Sequence, residues 1–163
     1  MITLRPARPE DLPQMMDLAH HAFTASQWSK EVFERLFAQG HGITRLVLVA
    51  EESAEEAGEG GSRIVGFLAG RESAGEWEIE NIAVIASARR TGLGSRLLRE
   101  FLHQIQSSGG REVFLEVRES NKAARALYEK WAFQELGRRK QYYTDPVEDG
   151  LIMKLSLVTP PFG

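Results

Sequence analysis

The sequence contains no cysteine, which excludes disulfides, thiolate catalysis and zinc–thiolate sites. Its first residues lack the apolar stretch of a signal peptide, and no apolar run reaches the length that crosses a bilayer. Because the absence of cysteine also suits a reducing compartment, we expect a soluble cytoplasmic protein with no membrane partner.

A large charge excess is missing as well. The 163 residues include 20 lysines and arginines against 23 aspartates and glutamates, for a net charge of −3. Since such a chain carries no general positive field, we expect no nucleic-acid partner, and any anion site must be local. The histidines lack the spacing of metal ligands, so we assign no metal to His20, His21, His41 and His103.

Length and patterning predict one domain over residues 1–158, followed by a loose tail over 159–163. Apolar periodicity predicts the order strand, two helices, three strands, helix, strand, helix and late strands. The acidic joint 51–63 has no hydrophobic period, and we interpret it as a mobile hairpin tip. The late strands are expected at 133–136, 139–143 and 151–157.

Connection lengths constrain how these strands pair. Three consecutive strands with short connections favour antiparallel pairing, whereas the strand–helix–strand unit over residues 76–117 needs a parallel, right-handed crossover. The sequence therefore predicts a mixed α/β (α+β) sheet, largely antiparallel with one parallel strand pair, flanked by helices.

The strand before the central helix changes the parity of its apolar residues midway. Trp77 and Ile79 alternate on one face, whereas Ile82 and Val84 fall on the opposite parity. Such a switch predicts a bulge around Glu80 and its neighbour, although a strand buried on both faces would give the same pattern. A bulge would free backbone amides from the ladder around Val84.

A loop with two glycines precedes the helix expected over residues 96–106. Gly92 and Gly94 allow a tight turn and close approach of a ligand, just where free amides and the positive end of a helix coincide. Arg89 and Arg90 add two charges there. The loop therefore predicts an anion site, such as one for a pyrophosphate, although the glycines could also serve only to shape a turn.

Two other phosphate loops fit this stretch poorly. No Lys-Ser or Lys-Thr pair follows the glycines, which excludes a Walker loop. A dinucleotide fingerprint needs a third glycine or alanine where this chain has Leu97, although Glu116 does follow at the end of the next strand. A dinucleotide-binding module is therefore the weaker interpretation.

The loop and its surroundings resemble the GNAT acetyltransferase superfamily. Arg89-x-x-Gly92-x-Gly94 is similar to the family's Q/R-x-x-G-x-G/A signature, and it follows the strand end Asn81-Ile82-Ala83-Val84. The next family blocks resemble Leu115-Glu116-Val117-Arg118, Ser120-Asn121 and Ala126-Leu127-Tyr128-Glu129. A likeness to the RimI-type ribosomal-protein alanine N-acetyltransferases extends to Trp28-Ser29, Arg138-Arg139, Tyr142-Tyr143 and Ile152-Met153-Lys154-Leu155.

This resemblance implies acetyl transfer from acetyl-CoA to an amine. It implies that Glu116 is the general base and Tyr128 the general acid towards the CoA sulfur, with Glu80 as the rival base. A surface ion pair for Glu116 and a purely structural role for Tyr128 are the alternatives. The cofactor site implied by the resemblance comprises Ile82, Ala83, Val84, Arg89, Arg90, Thr91, Gly92, Leu93, Gly94, Ser95 and Asn121, of which Asn121 is equally suited to capping its helix.

The subgroup resemblance implies a protein N-terminal amine as acceptor, the alanine of a ribosomal protein. An α-amine has a pKa of about 7.7–8.0 and needs little help at neutral pH, whereas a lysine amine, near about 10.4, needs a stronger base. A lysine or small-amine acceptor, and a non-catalytic CoA-binding module, are the alternatives. Tyr142 and Tyr143 either line a peptide groove or form a hairpin aromatic pair.

One position departs from the family. GNAT enzymes usually have glycine before the aromatic residue that closes the helix of Tyr128, and this chain has Ala132. If φ is positive there, alanine costs about 1 kcal/mol.

Overall fold

The computed structural model describes residues 1–22, 26–38, 42–53, 61–89 and 91–157. Within these ranges the chain forms one seven-stranded sheet and four α-helices. The strands are β1 (Ile2–Pro6), β2 (Thr44–Ser53), β3 (Ser62–Ser73), β4 (Glu76–Val84), β5 (Glu112–Arg118), β6 (Gln134–Tyr143) and β7 (Glu148–Ser156). The helices are α1 (Leu12–His21), α2 (Lys30–Glu34), α3 (Leu93–Ser107) and α4 (Lys122–Lys130).

The strand order in the sheet is β1-β2-β3-β4-β5-β7-β6. Neighbouring strands pair antiparallel, except that β4 and β5 are parallel and are joined through α3. This topology confirms the predicted mixed sheet with a single parallel pair flanked by helices.

Helices cover the two faces of the sheet unevenly. On one face, α3 and α4 pack through residues such as Leu97, Phe101 and Tyr128 against strands that include β5 and β7. On the other face, α1 and α2 pack through Met15 and Phe33 against β2, β3 and the end of β4. Because no described residue of β5, β6 or β7 joins this second core, that part of the sheet face is free of helices, and we call it the open face.

Strand β4 contains the predicted bulge. Gly70 of β3 lies opposite Ile79, but Ala69 lies opposite Asn81, so Glu80 is the extra residue. Beyond the bulge, the alternation of side chains between the two faces of the sheet is shifted by one residue. This shift explains why the apolar residues change parity in the sequence. All four apolar residues concerned pack on the α3 side: Trp77, Ile79, Ile82 and Val84.

Helix α3 begins three residues earlier than predicted, at Leu93 rather than 96. Gly92 adopts a φ of +82° and its carbonyl accepts the first helical hydrogen bond from the Arg96 amide, at 3.0 Å. Since a positive φ strains residues that carry a Cβ, glycine is strongly favoured at the start of this helix.

Helix α4 ends in a Schellman motif that holds Tyr128. The Tyr128 carbonyl accepts from the Phe133 amide at 3.0 Å, and the Glu129 carbonyl accepts from the Ala132 amide at 3.0 Å. Ala132 has a φ of +69°, so the position does require the left-handed conformation that the family fills with glycine.

Two expectations about the late strands and the acidic joint need correction. The predicted break between strands 133–136 and 139–143 is wrong, because β6 runs through it with a register shift after Glu135. Both ends of the predicted hairpin tip are strand, since β2 extends to Ser53 and β3 starts at Ser62. Residues outside the described ranges include 54–60, the tail 159–163, His41 and Arg90.

Candidate active site

Strands β4 and β5 stop pairing at the bulge. Their parallel register runs only to Ile79 on β4 and Leu115 on β5, and a cavity of about 50 Å³ lies in the gap beyond. The structure brings five sequence-predicted candidates together around it: Glu80, Ile82, Glu116, Asn121 and Tyr128.

Glu116 enters the gap from β5 with one carboxylate oxygen unpartnered. Its Oε1 lies 3.1 Å from Nε of Arg139, whereas its Oε2 is buried without a hydrogen-bond partner in the described part of the chain. Burial raises the pKa of Glu116, the Arg139 charge opposes that rise, and Glu78 adds to it. The unpartnered oxygen is a candidate proton acceptor.

Glu80 enters the same cavity from the bulge, but arginines face both of its oxygens. Nη1 of Arg45 lies 2.7 Å from Oε1, and Nε of Arg71 lies 3.8 Å from Oε2. Burial raises the pKa of Glu80, while the two arginines lower it. Because an arginine faces each oxygen of Glu80, whereas Glu116 has an oxygen without a partner in the described part of the chain, Glu80 is less suited than Glu116 to accept a proton from an amine.

Tyr128 reaches the cavity from the opposite face of the sheet. It projects from α4 into the core shared with α3, where it is 4% exposed, and its ring centroid lies 5.6 Å from that of Phe133. Burial raises the pKa of the Tyr128 hydroxyl above its usual range, and Tyr143 contributes. The hydroxyl therefore keeps its proton near neutral pH and is a candidate proton donor.

Two backbone amides of β4 point into the gap. The Ile85 amide donates to the Val65 carbonyl of β3 at 2.9 Å. Amide directions alternate along a strand, so the amides of Val84 and Ile82 point away from β3. Because β5 does not pair with this part of β4, both amides can donate to a ligand. The side chain of Ala83, which lies between them, is buried in the core on the α1 side of the sheet.

The two-glycine loop offers its backbone to a ligand. The first amides of α3 lack helical carbonyl partners, and Leu93 contributes only its amide because its side chain is buried. The Thr91 hydroxyl donates to the Ala88 carbonyl, and Ser95 Oγ accepts from Nε1 of Trp131 at 3.4 Å. The anion site expected here would therefore be formed mainly by main-chain groups beside Arg89.

The space around the two glycines differs. The φ of +82° at Gly92 favours glycine, because any other residue would be strained there. A Cβ at Gly94 would make only ordinary contact, 3.5 Å from Cδ2 of Leu127, so packing within the chain does not require a glycine there. Close approach of a ligand to Gly94 remains the prediction from the sequence.

Asn121 caps α4. Its Oδ1 accepts from the Ala124 amide at 3.1 Å, as the N-cap position requires. The capping role is therefore present, and its place in the cavity lining also allows contact with a ligand.

A second cavity, of about 380 Å³, adjoins Glu116 on the open face, and its lining includes Phe114, Arg139 and Ile152. Nearby, the rings of Tyr142 and Tyr143 pack against each other with centroids 5.1 Å apart, so the aromatic pair, one of the two alternatives, is present. Burial, with Glu116 and other neighbours contributing, raises the pKa of Tyr143 to about 12. The pair thus lies close to the candidate base.

Sequence reasoning missed the anchor between the bulge and the segment that follows α1. Asn81 is 3% exposed; its Oδ1 accepts from the Ser26 amide at 3.0 Å, and its Nδ2 donates to the Ser26 carbonyl at 3.1 Å. The Ser26 hydroxyl donates to the Glu80 carbonyl at 3.2 Å. The available signal was a polar residue at a buried strand position. Sequence reasoning also missed the pairing of Arg139 with Glu116, because no spacing in the sequence indicates it.

The bulged strand and the glycine loop at the start of a helix agree with one protein family. The profile of the acetyltransferase (GNAT) family matches residues 12–133, so the chain belongs to this family and is an N-acetyltransferase.

Similarity to particular proteins covers nearly the whole chain. The [ribosomal protein bS18]-alanine N-acetyltransferase of Escherichia coli (strain K12) is 33% identical over 159 residues, covering 96% of this chain and 99% of that protein. The crystal structure of the ribosomal-protein-S18-alanine N-acetyltransferase from Escherichia coli matches with a TM-score of 0.80 and 31% identity, covering 98% of this chain and 96% of that one. Arabidopsis thaliana NAA60 in complex with acetyl-CoA, at 18% identity, shares the fold with a TM-score of 0.79, covering 96% and 99%.

Within the described ranges, no helix is long and apolar enough to span a bilayer. The same ranges contain no group of three or more acidic or histidine side chains able to hold a metal.

Proposed function

We propose that this protein transfers the acetyl group of acetyl-CoA to the N-terminal α-amine of a protein, of the ribosomal-protein alanine type. One observation carries the proposal: an ionisable carboxylate and a protonated tyrosine meet at the same strand gap from opposite faces of the sheet. Glu116 enters from the open face, and Tyr128 from the face covered by α3 and α4.

The position of the glycine loop supports a proposal for which substrate binds on each face of the sheet. The amides at the start of α3 suit a pyrophosphate, and they lie on the same side of the sheet as Tyr128. Acetyl-CoA would therefore lie on the α3 side with its thioester in the gap. The acceptor would approach across the open face, where the cavity of about 380 Å³ adjoins Glu116. This face has room for an extended peptide end.

Each proton transfer in the reaction is proposed for a different side chain. Glu116 Oε2, directly or through water, takes the proton that the amine loses as its nitrogen bonds to the carbonyl carbon. The amides of Val84 and Ile82 donate to the carbonyl oxygen as negative charge builds there. As the carbon–sulfur bond breaks, the Tyr128 hydroxyl gives its proton to the sulfur, and both side chains then exchange protons with solvent.

An α-amine fits the base on offer. Its pKa of about 7.7–8.0 leaves a useful neutral fraction at pH 7, so a carboxylate whose pKa is raised by burial suffices as the base. The relatives named above act on ribosomal-protein alanine, which supports the same acceptor here. We also propose a cytoplasmic location, a single domain over residues 1–158 and, from the charge balance, no nucleic-acid partner.

Ligand binding and thiol release test this function together. Acetyl-CoA should raise the melting temperature, NAD should not, and a peptide that begins with alanine should release free CoA thiol. An N-terminally blocked version of the same peptide should release none. Stabilisation by NAD but not by CoA would contradict the proposal, as would thiol release that persists with the blocked peptide.

A further inference from the structure

Arg139 pairs with the proposed base but takes no part in the chemistry described so far. Its Nε lies 3.1 Å from Oε1 of Glu116, and its guanidinium lies 5.2 Å from the ring centroid of Tyr142. The guanidinium is thus close to both the Tyr142 ring and the Glu116 carboxylate. Sequence analysis singled out Arg139 only as part of a resemblance.

The sheet register explains how a β6 residue reaches β5. Glu116 lies opposite Ile152 of β7, and Ile152 lies opposite Gly137 of β6. Arg139, two residues beyond Gly137, therefore points to the same open face as Glu116. It faces Gly150 of β7, which has no side chain to obstruct the reach towards β5.

The pairing leaves the two oxygens of Glu116 in different states. Oε1 is held by Arg139, whereas Oε2 is buried and unpartnered within the described part of the chain. We propose that Arg139 is a positioning residue: it fixes Oε1 so that Oε2 faces the reacting amine, and its charge keeps the carboxylate ionised as the amine arrives. This inference rests on the proposed function, because it assigns Glu116 the role of base.

The other titratable groups around Glu116 either disfavour its ionised form or are uncharged near neutral pH. Glu78 on β4 is a nearby negative charge, and Tyr143 on β6 and Tyr128 on α4 are uncharged near neutral pH. Glu80 shares the cavity but faces its own arginines. Arg139 is therefore the cation that offsets both burial and Glu78 at this carboxylate.

The chain provides a matched control on the neighbouring residue. Arg138 pairs with Glu119 and Asp149 at 2.9 and 3.0 Å, and it lies on the opposite face of β6, facing Leu151. Arg138→Gln removes the same charge from the same strand without touching Glu116. Arg139→Lys keeps the charge beside Glu116 and serves as the conservative variant.

The direct readout is the titration of the Glu116 carboxyl carbon by NMR, in the full chain and its variants. A cation at this distance lowers a carboxyl pKa by about one unit or more, so the midpoint should rise by about one pH unit in Arg139→Gln. It should stay within a few tenths of a unit of the wild type in Arg138→Gln, and Arg139→Lys should restore most of the difference.

Activity provides the second readout. Below both midpoints, kcat with an alanine peptide should fall about tenfold in Arg139→Gln, the ratio that a one-unit shift produces, and the loss should shrink as pH rises. KM for acetyl-CoA should not change. An unmoved Glu116 midpoint, or equal losses in Arg138→Gln, would overturn the inference. A wild type that titrates as described but acetylates no peptide would instead contradict the proposed function.

Discussion

Two carboxylates, Glu80 and Glu116, line the cavity at the strand gap. They differ in whether their oxygens are already paired with arginines. Arginines face both oxygens of Glu80, whereas Glu116 Oε2 has no partner in the described chain. Glu116→Gln should lower kcat about 100-fold, the usual contribution of general base catalysis, with little change in acetyl-CoA affinity. Rapid-quench kinetics with a peptide acceptor would measure it.

Glu80→Gln is the matched control for that experiment. It should lower kcat far less, and its effect should include a loss of stability, because Arg45 would lose its ion-pair partner. Arg71 would keep its pairing with Glu78 and lose only the longer contact to Glu80. A wild-type rate in Glu116→Gln together with a large loss in Glu80→Gln would show that the base is Glu80.

Tyr128→Phe removes the proposed proton donor and keeps the ring that packs on Phe133. We expect kcat to fall about 100-fold while the affinity for acetyl-CoA, measured by calorimetry, stays near that of the wild type. A fall in affinity with an unchanged single-turnover rate would show that Tyr128 binds the cofactor and does not protonate the sulfur.

Helix α3 has a positive-φ glycine at each end, and only one of them adjoins the proposed pyrophosphate site. Gly92 has a φ of +82° and Gly109 a φ of +91°, and a Cβ at either would meet nothing within 4 Å. Gly92→Ala and Gly109→Ala should each cost about 1 kcal/mol of stability. Only Gly92→Ala should weaken acetyl-CoA binding; equal affinities in the two variants would contradict a role for the loop.

Helix α4 ends at a strained alanine, so a glycine should stabilise it. Because Ala132 has a φ of +69°, Ala132→Gly should raise the free energy of unfolding by about 1 kcal/mol. The exposed interior position Ala126 provides the opposite control, since Ala126→Gly should lower it by about 1 kcal/mol. Urea denaturation would measure both; a destabilised Ala132→Gly would show that the strain is relieved elsewhere.

At the scale of the molecule, the sequence predicted the features that local pattern controls. The parity change at Ile79 and Ile82 predicted the bulge, and the glycine loop predicted the start of α3 to within three residues. The break expected within β6 was wrong, because an exposed edge strand can continue through Gly137 with a register shift.

Contacts between distant residues were not predictable in the same way. The hydrogen bonds of Asn81 to Ser26 and the pairing of Arg139 with Glu116 depend on how α1, β4, β5 and β6 assemble. No periodicity records such cross-sheet partners, because they arise from register and loop path. The sequence therefore predicted Glu116 as a candidate and left its arginine partner unidentified.

The central claim is that an N-terminal α-amine reacts across the open face. A peptide with a free N-terminal alanine and one internal lysine offers both amines to the enzyme and acetyl-CoA, and mass spectrometric fragmentation locates the acetyl group. We predict acetylation of the α-amine alone, abolished when the N-terminus is blocked. Acetylation of the lysine, at a rate that blocking the N-terminus does not change, would contradict the account.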